Sequence, residues 1–400
     1  MRLRLFLSLL LSPGLVLAAN SPVASSSKSQ AARKNFVLDV VRSAVALPES
    51  DPQDRLRVLQ SAATVVAPFD AATARRFARE GARLEADLIT SGQTPAVSVL
   101  SAGQLDCTTA REFVESIPTT AVQRAEDSLI SAMTLCKTTQ DLVRAKVGAG
   151  LDSGVVASRA LLALIEAAGA NSAWAQAQFS KVFVSLPSDA VKQAPDFAAI
   201  LARMASTADK DAVRDSGLKL LDWLAKQKQS GERNLAITTA TSALRKALGE
   251  QQYNEALQSD PVAMSVAQSA GRPGEIARPA EDSVSVLKAM DAAGQDHSDE
   301  LRTMPSAHRA REAAAHGFAA GTSGDGKAAE QYFDIAFSAV DEVWSSRAKT
   351  KDAPAVVEEV SEAAAHVDPV AALRRSQALQ DPSAQAISMI AVARVVLGKQ

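Results

Sequence analysis

The spacing of apolar residues predicts α-helices along most of the chain. The clearest case lies between residues 306 and 344, where two helical stretches flank a Gly-rich turn. In the second stretch, apolar side chains recur every three or four positions and fall on one helix face: Ala329, Phe333, Ala336, Val340 and Val343. In the Ala-rich first stretch, Gly317 leaves room for a neighbouring helix. Because neither helix can bury its apolar face alone, each is predicted to pack on the other and then on the next pair.

Helix starts are the best-specified local feature of the sequence. Four of them are predicted from Asp-Pro pairs that begin at Asp51, Asp260, Asp368 and Asp381. The Asp side chain can accept hydrogen bonds from the free amides of the first turn, and Pro suits the first helical position. Thr109 is predicted to cap a further helix over 109–117, which is followed by one over 120–136.

Composition supports helices packed on helices. Hydrophobic residues make up 47% of the 400-residue chain, aromatic residues only 4%, and alanine about a fifth. Small side chains favour close helix packing, whereas sheets need far more β-branched and aromatic residues in alternating runs. The predicted fold is therefore all-α, either a right-handed α-solenoid or an irregular array of antiparallel helix pairs.

The N-terminus has the pattern of a secretory signal. Residues 1–18 combine a basic start at Arg2 and Arg4, an apolar middle and a small-residue cleavage site, and a Ser-rich flexible leader is predicted over 19–30. An uncleaved anchor is the alternative, but Ser, Pro and Gly interrupt the apolar run, which is shorter than the ~20 residues that a membrane span needs. No later segment is apolar enough to cross a membrane. The expected location is therefore outside the cytoplasm, in the periplasm or the extracellular space.

Two helical regions are predicted in the mature chain. The stretch 271–282 holds two prolines and two glycines, which is typical of a boundary between structural units. It divides an N-terminal helical repeat region over 31–270 from a C-terminal one over 282–400.

Charge argues against nucleic acid as a partner. The formal net charge is −2, and Lys and Arg are spread evenly along the sequence with few aromatic residues beside them. Proteins that bind nucleic acid usually carry a basic patch together with side chains that stack on bases. The expected partner is therefore not nucleic acid.

The only cysteines, Cys107 and Cys136, are candidates for a disulfide bond. An even cysteine count in an exported chain favours the bond. If helices 109–117 and 120–136 fold back on each other at Pro118, however, the residue that faces Cys107 is near position 130. Cys136 then lies about six residues farther along the helix, or roughly 9 Å at 1.5 Å per residue. This exceeds the ~7 Å between Cα atoms that a disulfide tolerates. Two buried free thiols are the alternative.

Two partial segments resemble the tetratricopeptide repeat. The residues that match its small, small, aromatic and small signature positions are Gly317, Ala329, Phe333 and Ala336 in one unit, and Gly148, Ala160, Leu164 and Ala167 in the other. Ala313 and Arg144 stand where the repeat has Trp, and no Pro closes either unit. The resemblance implies paired helices stacked into a superhelix, with Arg311, Ala314 and Phe318 facing a binding groove.

One set of side chains has spacing that suits a metal site. His308, Glu312 and His316 lie four residues apart, so they could share one face of a helix. Zinc would need a further ligand, such as His297 or His366. A solvated or half-buried helix face is the alternative, and no cofactor is predicted.

These observations together predict an exported, all-helical binding or scaffolding module of the cell envelope. A protein or peptide partner would lie along the surface of the helix array. The rival hypothesis is a metal-dependent helical enzyme that uses His308, Glu312 and His316.

Overall fold

The computed structural model describes residues 22–49, 51–184, 186–188, 190–269, 298–347 and 352–398. These residues form α-helices and short 3₁₀ turns, with no strand among them, which confirms the all-α prediction. The predicted signal peptide over 1–18, the predicted boundary over 271–282 and His297 lie outside the described residues.

The first helices of the chain follow one another through short connections. Their bounds are α1 Pro22–Val45, α2 Pro52–Val66, α3 Ala71–Thr90, α4 Cys107–Ser116, α5 Glu126–Leu135, α6 Gln140–Asp152, α7 Ser158–Ala168, α8 Ala173–Val182, α9 Ala194–Met204, α10 Lys210–Lys226, α11 Gly231–Leu248, α12 Glu250–Gln258 and α13 Pro261–Ser269. Four 3₁₀ turns interrupt this series, at Val99–Ala102, Thr119–Ala121, Lys137–Thr139 and Val191–Gln193.

Six further helices are described after residue 297. Their bounds are α14 Ser298–Thr303, α15 Ser306–Thr322, α16 Gly326–Ser345, α17 Ala353–Val367, α18 Pro369–Ala378 and α19 Pro382–Gly398.

Aspartate caps fix several of these helix starts as predicted. The side chain of Asp51 accepts a hydrogen bond from the backbone amide of Gln53 at 2.9 Å, and Asp381 accepts one from Ser383 at 2.8 Å. Asp260 and Asp368 do the same for α13 and α18. The predicted cap at Thr109 is wrong, because α4 begins earlier and Asp106 accepts from the Thr109 amide at 2.8 Å.

α1 begins at Pro22 and includes most of the segment 19–30 that was predicted to be a flexible leader. Neither Gly nor Pro occurs between Pro22 and Val45, so no residue that usually breaks a helix interrupts this stretch. Ser residues alone therefore do not end the helix.

The predicted pair α15 and α16 is present and closely packed. Ala329, Phe333, Ala336, Val340 and Val343 are all buried, so the apolar stripe of α16 faces the core. A Cβ atom added at Gly317 of α15 would lie 3.1 Å from the Phe333 ring, which is the close approach expected of this glycine.

α19 is the most buried helix of the C-terminal region, with eleven of its seventeen residues buried. It packs on α17 and α18 from its own region and on α1 and α2 from the other end of the chain. The regions 31–270 and 282–400 therefore meet along α19, and the helices of both regions belong to one core.

The helix contacts form a continuous series. α15 packs on α17, α17 on α19 and α19 on α2. The 3₁₀ turn Val99–Ala102 then touches both α2 and α5, after which α5 packs on α7, α7 on α9 and α9 on α11. The first and last helices that the structure describes are also neighbours, since α1 packs on α19.

Three buried serines connect α17, α18 and α19. The hydroxyl of Ser388 donates to Ser376 at 2.6 Å, and the hydroxyls of Ser388 and Ser361 are also 2.6 Å apart. Ser361 and Ser376 additionally donate to the carbonyls of Val357 and Ala372 within their own helices. Each hydroxyl is thus hydrogen-bonded, as buried polar groups must be, and the small side chains keep the three helices close.

A disulfide joins Cys107 and Cys136, whose Cα atoms lie 5.3 Å apart. The expected overshoot does not occur because no helix runs over 120–136. The chain passes through the turn Thr119–Ala121 before α5 begins at Glu126, and Cys136 directly follows the end of α5. The residues between the two helices therefore place Cys136 beside Cys107, the first residue of α4.

Shortening a side chain in α19 should destabilise the whole protein. Ile390 is 1% exposed, so Ile390→Ala removes buried methyl groups and leaves a cavity, at a cost of about 2–5 kcal/mol. Urea unfolding followed by circular dichroism measures this loss. Val370→Ala, at a side chain 56% exposed, is the control and should change the unfolding free energy by less than about 0.5 kcal/mol. Equal losses for the two variants would contradict the central position of α19.

Candidate functional site

Four arginines lie on the exposed face of α3. The cap Asp70 accepts from the Thr73 amide at 3.0 Å and starts the helix. Ala74, Phe77, Ala78, Ala82 and Leu88 then follow a helical period and are buried. The exposed residues between them include Arg75, Arg76, Arg79 and Arg83.

A close contact at Gly81 holds the buried side of α3. A Cβ atom there would approach Cγ2 of Val99 to 2.7 Å, so only glycine fits without a shift of that side chain. The turn Val99–Ala102 therefore packs directly on the helix backbone.

Two grooves flank the arginine face. The larger, of about 880 Å³, is lined by Arg55 and Leu59 of α2 and by Ala72, Arg75, Arg76, Arg79, Glu80, Arg83, Leu84 and Asp87 of α3. The smaller, of about 650 Å³, is lined by Arg79, Ala82, Arg83, Ala86 and Asp87 of α3 and by Asp106, Thr108, Thr109, Glu112, Phe113 and Ser116 at α4. Arg79, Arg83 and Asp87 line both, so α3 forms the ridge between the two grooves.

The larger groove is positively charged, because its five arginines face only Glu80 and Asp87. Arg55 is already paired with Glu80 at 2.6 Å and with Glu49 at 2.9 Å. Arg79 is paired with Asp106 at 2.9 Å. Arg75, Arg76 and Arg83 have no acidic partner among the residues that the structure describes. The Arg76 guanidinium lies over the Phe77 ring, 5.2 Å from its centre. The guanidinium groups of Arg75 and Arg83 are therefore the ones most open to a ligand.

Asp106 keeps Arg79 neutralised. The backbone amide and hydroxyl of Thr109 donate to its carboxylate, and together with Arg79 they lower the pKa of Asp106 to about 2. This carboxylate is therefore ionised at every pH at which the protein is expected to work.

A buried carboxyl anchors α3 from below. Glu85 is fully buried and accepts a hydrogen bond from the backbone amide of Val99 at 2.8 Å and another from the hydroxyl of Ser128 in α5. Burial raises the pKa of Glu85 to about 7 despite these donors. Glu85 thus ties α3 to the Val99 turn and to α5, opposite the arginine face.

The predicted metal set is not brought together as a site. His308 Nε2 lies 4.0 Å from Glu312 Oε1, but His316 is buried and stacks on Tyr332 with ring centres 5.2 Å apart. Each four-residue step rotates a helix position by about 40°, which carries His316 toward α16 while His308 stays half-exposed. Among the described residues no group of three potential metal ligands occurs, and His366 lies against Phe318 instead.

The three residues predicted to face a binding groove lie on the side of α15 that packs on α17. Arg311 is bonded to Glu359 at 2.6 Å and to Asp352 at 2.8 Å, and Ala314 is buried. Phe318 remains 41% exposed, and the Arg311 side chain is 36% exposed. The apolar pattern of α15 identified a contact face but not the helix that would cover it.

Sequence reasoning missed the arginines of α3. Arg75, Arg79 and Arg83 have the same four-residue spacing as the histidine set, and this was the signal that could have found them. The even distribution of Lys and Arg along the sequence does not reveal this spacing, because an even distribution can still place several arginines on one helix face.

Comparison with protein-family models, with curated proteins and with solved structures gives no match for this chain. Within the described ranges, none of the helices is both long enough and apolar enough to span a bilayer.

The buried Glu85 should make stability depend on pH. Its pKa is raised from 4.5 to about 7 on folding, so the unfolded chain loses this proton first as the pH rises. The contribution of Glu85 to the free energy of unfolding is therefore largest below pH 4.5. It falls by about 3 kcal/mol between pH 4.5 and pH 7 and stays constant above pH 7. Urea unfolding at pH 5 and pH 8 measures the change.

The matched variant for this measurement is Glu85→Gln, which keeps the shape of the side chain but does not titrate. Burial also raises the pKa of Glu126 to about 7, so part of the pH dependence should remain in the variant. The difference between wild type and variant isolates Glu85. Identical pH dependence in the two proteins would contradict its assignment.

Proposed function

We propose that this protein is an exported helical-repeat module that binds a protein or peptide segment outside the cytoplasm. The succession of contacts from α15 through α17 and α19 to α2 supports an α-solenoid arrangement, in which each helix pair packs on the next. Such arrays act by display, since they present a long surface without needing a reactive centre.

The α15 and α16 pair supports a tetratricopeptide-like form for part of the array. Its small and aromatic signature residues, Gly317 and Phe333, are in contact. The other partial unit gives no such support, because a Cβ atom added at Gly148 would meet nothing within 4 Å. We therefore confine this likeness to α15 and α16.

Two features favour export. The first eighteen residues have the basic, apolar and small-residue order of a signal peptide. The disulfide between Cys107 and Cys136 suits an oxidising compartment, where such bonds form and persist. Cys107 is exposed, so a reducing cytoplasm would have access to the bond.

The observation on which the binding function rests is the pair of unpartnered arginines in the groove between α2 and α3. Arg75 and Arg83 lie in a positively charged groove, although the whole chain carries a net charge of −2. The half-buried side chain of Leu84 also lines the groove. Guanidinium groups bind carboxylates, while Leu84 can contact an apolar part of the same segment.

Site-specific photo-crosslinking tests this function. Ala72 is exposed and lines the groove, so replacing it with p-benzoylphenylalanine should yield a defined adduct with a protein partner in envelope extract. The added double substitution Arg75→Gln and Arg83→Gln should lower the adduct yield by at least about fivefold, because each exposed ion pair contributes up to ~1 kcal/mol. Immunoblotting of the irradiated sample measures the yield.

The control places the same photo-reactive residue at Val370, which is exposed on α18 and does not line either groove. No adduct should form there. Adducts of equal yield at the two positions, or an adduct at Ala72 that is insensitive to the arginines, would overturn the proposed binding surface.

A further inference from the structure

The arginines of α3 form a ladder whose repeat matches that of an extended peptide. Arg75, Arg79 and Arg83 are spaced by four residues, and four residues of helix rise about 6 Å. In an extended chain, side chains on one face recur every two residues, or about 6.6 Å. A peptide that lies along α3 can therefore keep register with the ladder.

The ladder also crosses from one groove to the other. Rows of residues spaced by four run obliquely to a helix axis, at about 26°. In agreement with this, Arg75 lines only the groove beside α2, whereas Arg79 and Arg83 line that groove and the one beside α4 as well. A bound segment would follow the same oblique path over the ridge of α3.

The free positions of the ladder are its two ends. Arg79 in the middle is paired with Asp106, whose carboxylate stays ionised, while Arg75 and Arg83 have no acidic partner within the described part of the chain. The two ends are about 12 Å apart along the helix, eight residues at 1.5 Å each. Residues four apart in an extended peptide are separated by about 13 Å.

On the basis of the binding function proposed above, we propose that the ligand is an extended peptide segment with acidic side chains at two positions four residues apart. Arg75 binds one carboxylate and Arg83 the other. The residue midway between them faces the Arg79 and Asp106 pair and needs no charge of its own. The side chains on either side of that middle residue point away from α3, because successive side chains of an extended chain alternate between its two faces.

The same groove disfavours a uniformly charged polymer. Glu80 and Asp87 lie among the arginines, so a chain with a negative charge on every unit would place some of those charges beside carboxylates. No aromatic side chain lines the groove beside α2, so it offers no surface on which bases could stack. Two separated carboxylates avoid both problems.

Fluorescence anisotropy with the full mature chain tests the spacing. Two fluorescein-labelled nine-residue peptides of identical composition carry two Glu residues, either four positions apart or adjacent. The spaced peptide should bind about fivefold more tightly, because two adjacent Glu residues cannot reach Arg75 and Arg83 at the same time. Arg75→Gln and Arg83→Gln should each lower the affinity of the spaced peptide by about fivefold and leave that of the adjacent peptide less affected.

Arg374→Gln is the matched control, because Arg374 is exposed on α18, lies outside both grooves and likewise has no ion-pair partner among the described residues. It should leave both affinities unchanged, and circular dichroism checks that every variant is folded. Linear inorganic polyphosphate and phosphatidylglycerol vesicles are tested as competitors and should displace the spaced peptide only weakly.

Equal affinities for the spaced and adjacent peptides would contradict the proposed four-residue spacing of the two acidic side chains. The absence of binding by either peptide would also contradict it. Stronger binding of polyphosphate or vesicles than of the spaced peptide would overturn the peptide ligand. In each of these cases an arginine-dependent adduct at Ala72 would leave the proposed binding function standing. If no arginine-dependent adduct formed at Ala72 either, the proposed binding function itself would be contradicted.

Discussion

The burial of α19 between helices from both ends of the chain is the packing interaction on which the rest of the structure depends. Most of its side chains are small or aliphatic and are out of contact with water. A helix that is apolar on all sides needs neighbours on all sides, and here α1, α2, α17 and α18 supply them. The serine chain from Ser361 through Ser388 to Ser376 fixes how closely two of those neighbours approach.

Close packing through small residues also explains how a chain with few aromatic side chains can hold a precise surface. At Gly81, Gly217 and Gly317 an added Cβ atom would come too close to a neighbouring side chain. At these three positions the backbone of the helix therefore packs directly against that side chain. Glu85 adds two hydrogen bonds below α3. The arginines on the opposite face therefore sit on a rigid helix, and the distances between them are set by helix geometry rather than by flexible loops.

The Asp-Pro helix starts and the apolar helix faces could be predicted from the sequence, whereas some other helix bounds and the tertiary contacts could not. The Asp-Pro caps and the apolar stripe of α16 depend on residues within one or two turns, which the sequence contains directly. That α17 would cover Arg311 and Ala314 depends on helices distant in sequence, and periodicity identifies a buried face without its partner. Whether Cys107 and Cys136 could meet depended on a few turn residues before Glu126, which the helix pattern did not reveal. The four-residue spacing of Arg75, Arg79 and Arg83 was present in the sequence, but an even distribution of charge along the chain does not show which residues share a helix face.

The contact of α19 with α1 and α2 links folding to the order of biosynthesis. A ribosome makes α1 and α2 long before α19, so the part of their apolar faces that α19 covers has no native partner until α19 has been made. Apolar surface exposed in this way favours aggregation, which chaperones counteract. A polypeptide that terminates before Pro382 lacks the helix that joins its two ends, which makes it a substrate for proteases rather than a smaller working version of the protein.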